Sequence, residues 1–368
     1  MNQTPQSHGP ALDAPKLRDL LDFLVESQLA DEAADGTRPT PLCIWGSHGL
    51  GKTQLVEEHA RRKGWRFKTV APAQFEELGD LHGLPVRHEG GHTAYLPPQW
   101  VPREPGPGIL LLDDLNRAPD HVLRALMQLL QRYELFSWSL PAGWQIVCTA
   151  NPEGGDYTIT SMDDAMRTRM LNVELSFDAK AWAEWATEAG VDPRGVAFVL
   201  TYPEVAVGPR TTPRTLVQFF ARLRHIPDLA AQIDRVGTLA KACLEDVTAW
   251  EFLSFVRDGL PHLVSPEELL DAAAVGPVIA RIKETSVEGD TRRVDRLALL
   301  CTRLILTVRR SRYTPTARHG KNVRALLMAD ILPADLRVGL YRDLQASGDA
   351  VAAMLHDAAL AERMLEVL

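Results

Sequence analysis

The chain has 368 residues, 45% hydrophobic and 24% charged, with a formal net charge of −8. That is the composition of a globular protein with apolar material for about two or three domains, and the acidic balance argues against a protein whose main task is coating nucleic acid. The four cysteines, Cys43, Cys148, Cys243 and Cys301, form no CxxC pair, which disfavours a zinc site or a disulfide framework, and no apolar run reaches the ~18 residues that span a bilayer.

Residues 1–14 read as a disordered leader, polar and Pro-rich and unlike a signal peptide, so the cytoplasm is the expected address. Pro15 opens an amphipathic helix carrying Leu17, Leu20, Leu21, Phe23 and Leu24, followed by a polar loop over 31–40. From Pro41 to about Leu175, short apolar runs (42–45, 65–70, 109–112, 145–150, 171–175) alternate with helical patterns. Strands alternating with helices predict an α/β domain over 15–177, built on a parallel five-stranded sheet with helices on both faces. Beyond Phe177 the apolar period becomes helical, as in 179–189, 215–225 and 239–255. A small helical domain is expected over 178–230 and a C-terminal helical domain over 231–368.

Gly46-Ser47-His48-Gly49-Leu50-Gly51-Lys52-Thr53 fits G-x-x-x-x-G-K-[ST], between an apolar strand and a helix that begins at Gln54 and ends before Gly64. Glycines let backbone N–H groups turn inward around a phosphate, where the helix N-terminus adds its dipole. Lys52 would reach the β- and γ-phosphates of ATP, and Thr53 would bind Mg²⁺. Residues 46–54 are therefore the expected nucleotide contacts. Downstream, the strand over 109–112 delivers Asp113 and Asp114 at its carboxyl end, the edge where open α/β sheets bind ligands. Asp113 suits the magnesium's water shell, and Asp114 the attacking water.

Asp113-Asp114-Leu115-Asn116-Arg117-Ala118 resembles the acidic-hydrophobic-Asn-Arg-Ala signature of MoxR-type AAA+ ATPases, a clade that includes dynein-related and midasin-like modules. Asp80-Leu81-His82-Gly83-Leu84-Pro85 and the strand ending at Asn151-Pro152 are similar to that clade's segments, in its order, and the likeness covers roughly 40–230. The resemblance implies a P-loop AAA+ core, Asn151 as sensor 1, and a helical lid over 178–230. It also implies an arginine before the last strand that reaches the neighbouring subunit's ATP. Arg169 is first candidate for that finger and Arg167 second; Arg suits the role because its planar, permanently charged fork holds two phosphate oxygens. The lid's sensor 2 would be Arg214, after the Thr212 cap and Pro213, with Arg210 competing. At position 114 the family usually has Glu. On reach alone, Asp114→Glu is expected to preserve turnover.

His88-Glu89-Gly90-Gly91-His92 matches the H-E-x-x-H metalloprotease pattern as text, but two central glycines disfavour the helix which that chemistry needs. A hairpin with arms 84–87 and 93–96 is expected, and the family resemblance places such an insertion toward a ring pore. Residues 303–324 carry Arg303, Arg309, Arg310, Arg312, Arg318, Lys321 and Arg324 with no acid, read as a solvated interhelical loop in preference to a nucleic-acid grip.

Taken together, these readings predict an ATP-hydrolysing ring ATPase, a hexamer by resemblance, that remodels a protein client. The resemblance implies von Willebrand A domain proteins among its partners. Two alternatives stand beside it: a nucleic-acid-translocating or restriction-type ATPase, and a nucleotide-gated assembly protein that hydrolyses slowly. No membrane partner is expected.

Overall fold

The strand Leu42–Trp45 is buried along its whole length, as a strand covered by helices on both faces must be. The computed structural model containing it describes residues 8–152, 159–289 and 291–365. The chain folds into two compact units, Met1–Asp178 and Ala179–Leu368.

In the first unit the elements run β1 (Ala11–Leu12), α1 (Ala14–Asp35), β2 (Leu42–Trp45), α2 (Lys52–Lys63), β3 (Arg66–Val70) and α3 (Gly79–His82). The hairpin β4 (Leu84–Arg87) and β5 (Thr93–Leu96) follows, then β6 (Gly108–Leu112) and α4 (Asp120–Arg132). A second hairpin, β7 (Glu134–Leu135) and β8 (Trp138–Ser139), precedes β9 (Trp144–Ala150), α5 (Asp164–Arg167) and β10 (Leu171–Leu175). The main sheet has the order β1-β10-β2-β9-β6-β3, with every pairing parallel.

Strand alternation sorts its residues into two layers. Ile44, Ile109, Leu111, Val147 and Val173 pack with Leu17 and Leu21 of α1 and Val56 of α2. Cys43, Trp45, Leu110, Leu112, Ile146 and Cys148 pack with Leu126 and Leu129 of α4. The α/β expectation holds, with six strands rather than five. The sixth comes from residues assigned to the leader: Ala11 and Leu12 pair with Glu174 and Leu175, and Ser176 N–H donates to Leu12 O. Two residues are too short for an apolar period to reveal. Residues 1–7 of the expected leader lie outside the described residues.

The second unit is helical: α6 (Ala179–Glu188), α7 (Pro193–Thr201), α8 (Pro213–Leu223), α9 (Ile233–Cys243), α10 (Asp246–Ser254), α11 (Pro266–Leu270) and α12 (Val275–Thr285). A two-residue hairpin, β11 (Val287–Glu288) and β12 (Thr291–Arg292), leads to α13 (Val294–Val308), α14 (Ala317–Met328), α15 (Ala334–Gln345), α16 (Asp349–Ala353) and α17 (Ala358–Leu365). No boundary between compact units falls at 230. Phe252 lies 5.0 Å from Phe198 and 4.9 Å from Phe219, so α10 completes the aromatic core that α7 and α8 begin. A lid cut at 230 would expose Phe198, Phe219 and Phe220, all fully buried.

The basic stretch is also more engaged than a solvated loop. Arg303 is buried in α13 and donates to Val264 O, and burial lowers its pKa although Glu267 opposes this. Arg309 meets Glu184, Arg310 meets Glu267, and Arg324 donates to Met354 O. Ser311 bonds both carboxylate oxygens of Glu188, which holds that acid below its usual pKa.

All four cysteines are free thiols; Cys43 and Cys148 face one another in register across β2 and β9, and Cys301 is buried in α13. Burial pushes Cys43 and Cys301 up to about 12 and Cys148 well above its ordinary value, whereas Cys243 is partly exposed.

Candidate nucleotide site

Because β2 neighbours β9 and β9 neighbours β6, the loops that leave these three strands emerge side by side. They carry residues 46–53, Asn151, and Asp113 with Asp114. The loop after β2 turns through Gly46 (φ 151°), Gly49 (φ 74°) and Gly51 (φ 92°), and α2 starts at Lys52. A Cβ at Gly46 would stand 3.0 Å from Leu175 O and 3.3 Å from Leu50 Cδ1, and at this φ would be strained as well. Glycine is required there by the loop's path.

Lys52 is 5% exposed, and its ammonium donates to Gly46 O at 2.6 Å, Ser47 O at 3.1 Å and Asn151 Oδ1 at 3.1 Å. Thr53 Oγ1 donates to Asp113 Oδ1 at 2.7 Å. The same carboxylate oxygen accepts from Thr149 Oγ1 at 2.7 Å, and Thr149 Oγ1 accepts from Asp114 N–H at 2.8 Å. Asn151 Nδ2 donates to Asp114 Oδ1 at 2.8 Å, while Arg117 Nε lies 3.3 Å from Asp114 Oδ2. One continuous network therefore joins Lys52, Asn151, Asp114, Thr149, Asp113 and Thr53.

Sequence reading passed over three of these supports. Thr149 lies two residues before Asn151, so strand alternation puts both on one face; that spacing was the available signal. Asn116 brackets Asn151 through its amide, donating to Asn151 O at 2.7 Å and accepting from Asn151 N–H at 3.0 Å. Arg117, quoted as part of a signature, pairs with Asp114.

The backbone at Asp114 is left-handed, with φ 51° and ψ 47°. Asp and Asn tolerate that region better than longer side chains do. This weighs against the expectation that Asp114→Glu preserves turnover: the shorter carboxylate already meets Asn151 and suits the backbone. Gln54, expected among the nucleotide contacts, is exposed and its side chain bonds Glu58 at 2.9 Å. Ser47, His48 and Leu50 lie on the loop, with Ser47 exposed.

The donor set suits a nucleotide and a divalent cation. The loop's glycines leave space that a Cβ would fill, Lys52 supplies a buried cation, and Thr53 with Asp113 forms a hydroxyl–carboxylate pair of the kind that holds Mg²⁺.

The two finger candidates separate clearly. The Arg167 guanidinium lies over the Trp45 ring, 5.3 Å from its centroid, in its own chain. Arg169 is partly exposed; it donates to Ala165 O and, at 3.4 Å, to Gln131 at the end of α4. In the second unit, Arg214 is exposed at the start of α8, which is capped by Thr212 and Thr215, and Arg210 is exposed while its backbone N–H donates to Glu245 at 2.7 Å.

The hairpin β4–β5 has the expected arms. His88 and His92 stack at its turn with ring centroids 4.3 Å apart, and neither lies on a helix. Trp138 of the second hairpin donates to Leu81 O of α3 at 2.8 Å, which ties that hairpin to the short helix preceding the first.

Residues 41–170 match the family model described as an AAA domain of the dynein-related subfamily. Among curated proteins, an ATP-dependent protease ATP-binding subunit-like protein of Rhodococcus erythropolis is 34% identical over 28% of this chain. Midasin of Dictyostelium discoideum is 28% identical over 38% of it. These matches span 32% and 2% of those relatives' own lengths. Similar solved structures include a Thermotoga maritima RuvB variant, 17% identical over 65% of this chain and 68% of that one, at a TM-score of 0.39. A putative ATPase of Cytophaga hutchinsonii is 14% identical over 96% of each chain, at a TM-score of 0.33.

Proposed function

We propose that residues 41–170, which match the model of an AAA domain of the dynein-related subfamily, form an AAA+ ATPase domain, and that the chain binds ATP·Mg²⁺ at residues 46–53 and hydrolyses it within a ring, moving a protein client. The observation that carries this reading is the network from Lys52 through Asn151, Asp114 and Thr149 to Asp113 and Thr53. It collects a phosphate cation, a metal-binding pair and a water-orienting carboxylate at one sheet edge. ATP·Mg²⁺ supplies the phosphoanhydride bond and the metal that neutralises its developing charge.

Within the site, Lys52 exchanges its present acceptors for phosphate oxygens. Thr53 and Asp113 hold the metal, Asp114 orients the attacking water, and Asn151 links that carboxylate to Lys52. Arg169 is offered to the next subunit, where a second cation raises the rate. Arg214, with Arg210 as the alternative, senses nucleotide from the helical unit. A head-to-tail contact of unlike faces closes into a ring, and a hexamer is the expected order. A protein client is favoured over nucleic acid because so much of the basic stretch 303–324 is engaged by the unit's own acids and carbonyls. A von Willebrand A domain protein is the partner class to try first, and the cytoplasm is the proposed address.

Turnover and assembly test the reading together. The expected result is nucleotide-dependent assembly by mass photometry, with ATPase activity abolished in Lys52→Ala. An active monomer would remove the ring, and undiminished turnover in Lys52→Ala would remove the site. A second reading, a nucleotide gate that hydrolyses slowly, is favoured by one observation: Arg117 and Asn151 both occupy Asp114's carboxylate. An assembled ring that exchanges nucleotide faster than it cleaves it would decide for the gate.

A further inference from the structure

Trp45 is the last residue of β2 and the one immediately before Gly46, and it is 1% exposed. Its indole is held on several sides. The His8 ring stacks on it at 4.0 Å with an interplanar angle of 8°, and the Arg167 guanidinium lies over it at 5.3 Å. Its Nε1–H donates to Asn172 Oδ1 at 2.9 Å. Asn172 in turn donates from Nδ2 to Arg167 O at 2.9 Å and Met170 O at 2.8 Å. The carbonyl of the next residue, Gly46, accepts from Lys52, and Gly46 N–H donates to Ala150 O at 3.2 Å.

We propose that Arg167 is a positioning residue for its own chain's nucleotide loop, acting through Trp45, and not a finger for the neighbour. A guanidinium over an indole face is a cation–π contact, and among aromatic faces tryptophan's is the strongest. Here it pins the residue from which the loop departs. The cation, the Asn172 bond and the His8 stack together hold Trp45, and with it the 45–46 peptide whose Gly46 N–H donates to Ala150 O; from that fixed departure the next carbonyl, Gly46 O, faces Lys52. Arg167 is thereby committed in cis. Arg169, two residues on, remains for the interface.

This inference rests on the ring reading above only for Arg169; its claim about Arg167 concerns a single chain. ATP binding is measured by calorimetry for Arg167→Gln and Arg167→Lys. Loss of an ordinary cation–π contact predicts about fivefold weaker binding for Arg167→Gln, while Lys keeps a cation over the ring and most of the affinity. Lys lacks the planar fork that a finger needs, so Arg167→Lys also retains turnover if Arg167 acts in cis and loses it if Arg167 is the finger. That variant decides the matter if Arg167→Gln does not fold.

Mixing supplies an independent arm. At saturating ATP, Arg167→Gln mixed with Lys52→Ala gains nothing beyond the activity of Arg167→Gln alone, because each variant keeps its own finger, whereas Arg169→Ala mixed with Lys52→Ala recovers activity that neither has alone. Unchanged ATP affinity in Arg167→Gln, with recovery on mixing, overturns the proposal. If the Arg169→Ala mixture gains nothing, the trans finger falls and the affinity measurement alone judges Arg167.

Discussion

Asn151 accepts a hydrogen bond from Lys52 through Oδ1 at 3.1 Å, and both side chains are buried. The amide's other end donates to Asp114, so one residue spans the proposed phosphate cation and the proposed water-orienting acid. For Lys52→Ala, ATP affinity by calorimetry is expected to fall by about two orders of magnitude, since hydrogen bonds to a charged group are the strong ones. The fold should survive with a lowered melting temperature, because Gly46 O and Asn151 Oδ1 lose a buried donor while Ser47 is exposed to water. Retained affinity would mean that the phosphates lie elsewhere.

Asp114→Asn separates binding from cleavage. Asn tolerates the left-handed backbone as Asp does, and its carbonyl still accepts from Asn151, so the melting temperature and ATP affinity should hardly move. Turnover should fall by about 10²–10⁴, the range associated with losing a general base. Asp114→Glu should lower both turnover and melting temperature, because a longer side chain suits φ 51° less well and overreaches Asn151. Turnover at or above wild type in the Glu variant would show that reach outweighs backbone fit.

Thr149→Val tests a residue that touches neither nucleotide nor metal in this reading. Its hydroxyl donates to Asp113 and accepts from Asp114 N–H, and valine replaces it at nearly equal volume. An orphaned buried N–H costs about 1–3 kcal/mol, so the melting temperature should drop. The Mg²⁺ concentration that gives half-maximal turnover should rise as Asp113 loses a partner. A Mg²⁺ titration unchanged from wild type would reduce Thr149 to a packing residue.

Acid stability should respond to His59. Burial lowers the imidazole's pKa below its ordinary 6.5, although Asp22 opposes the shift, so the folded state holds this ring neutral. Stability from a base with a depressed pKa is complete above the unfolded value and is lost as pH falls through the folded one. Thermal melts from pH 7.5 down to 5 should therefore fall more steeply for wild type than for His59→Gln. Parallel slopes would exclude His59 as a source of the acid sensitivity.

What the sequence made legible was whatever local spacing encodes. Asp113, Asp114 and Asn151 each follow the end of a strand, readable from an apolar run, and Lys52 and Thr53 open the helix after a glycine-rich loop. The contacts that brace them join residues far apart in sequence. Trp45 and Arg167 are brought together only when β10 pairs with β2, and His8 reaches Trp45 only because β1 extends the sheet beyond β10. The boundary expected at 230 is a related case: helical periodicity identifies the buried face of α10 but not that Phe198 and Phe219 cover it. At Asp114 the chemistry was visible and the dihedral angle was not.

The burial of three thiols has a practical consequence for watching this protein work. Maleimides react with the thiolate, and the high pKa values of Cys43, Cys148 and Cys301, together with their enclosure in packed layers, keep those sulfurs out of reach of such reagents. Cys243, at the end of α9, is the one thiol with access to solvent. The natural sequence thus offers a single attachment point for a fluorophore in the helical unit, with no cysteine to remove from the sheet beneath the nucleotide loop.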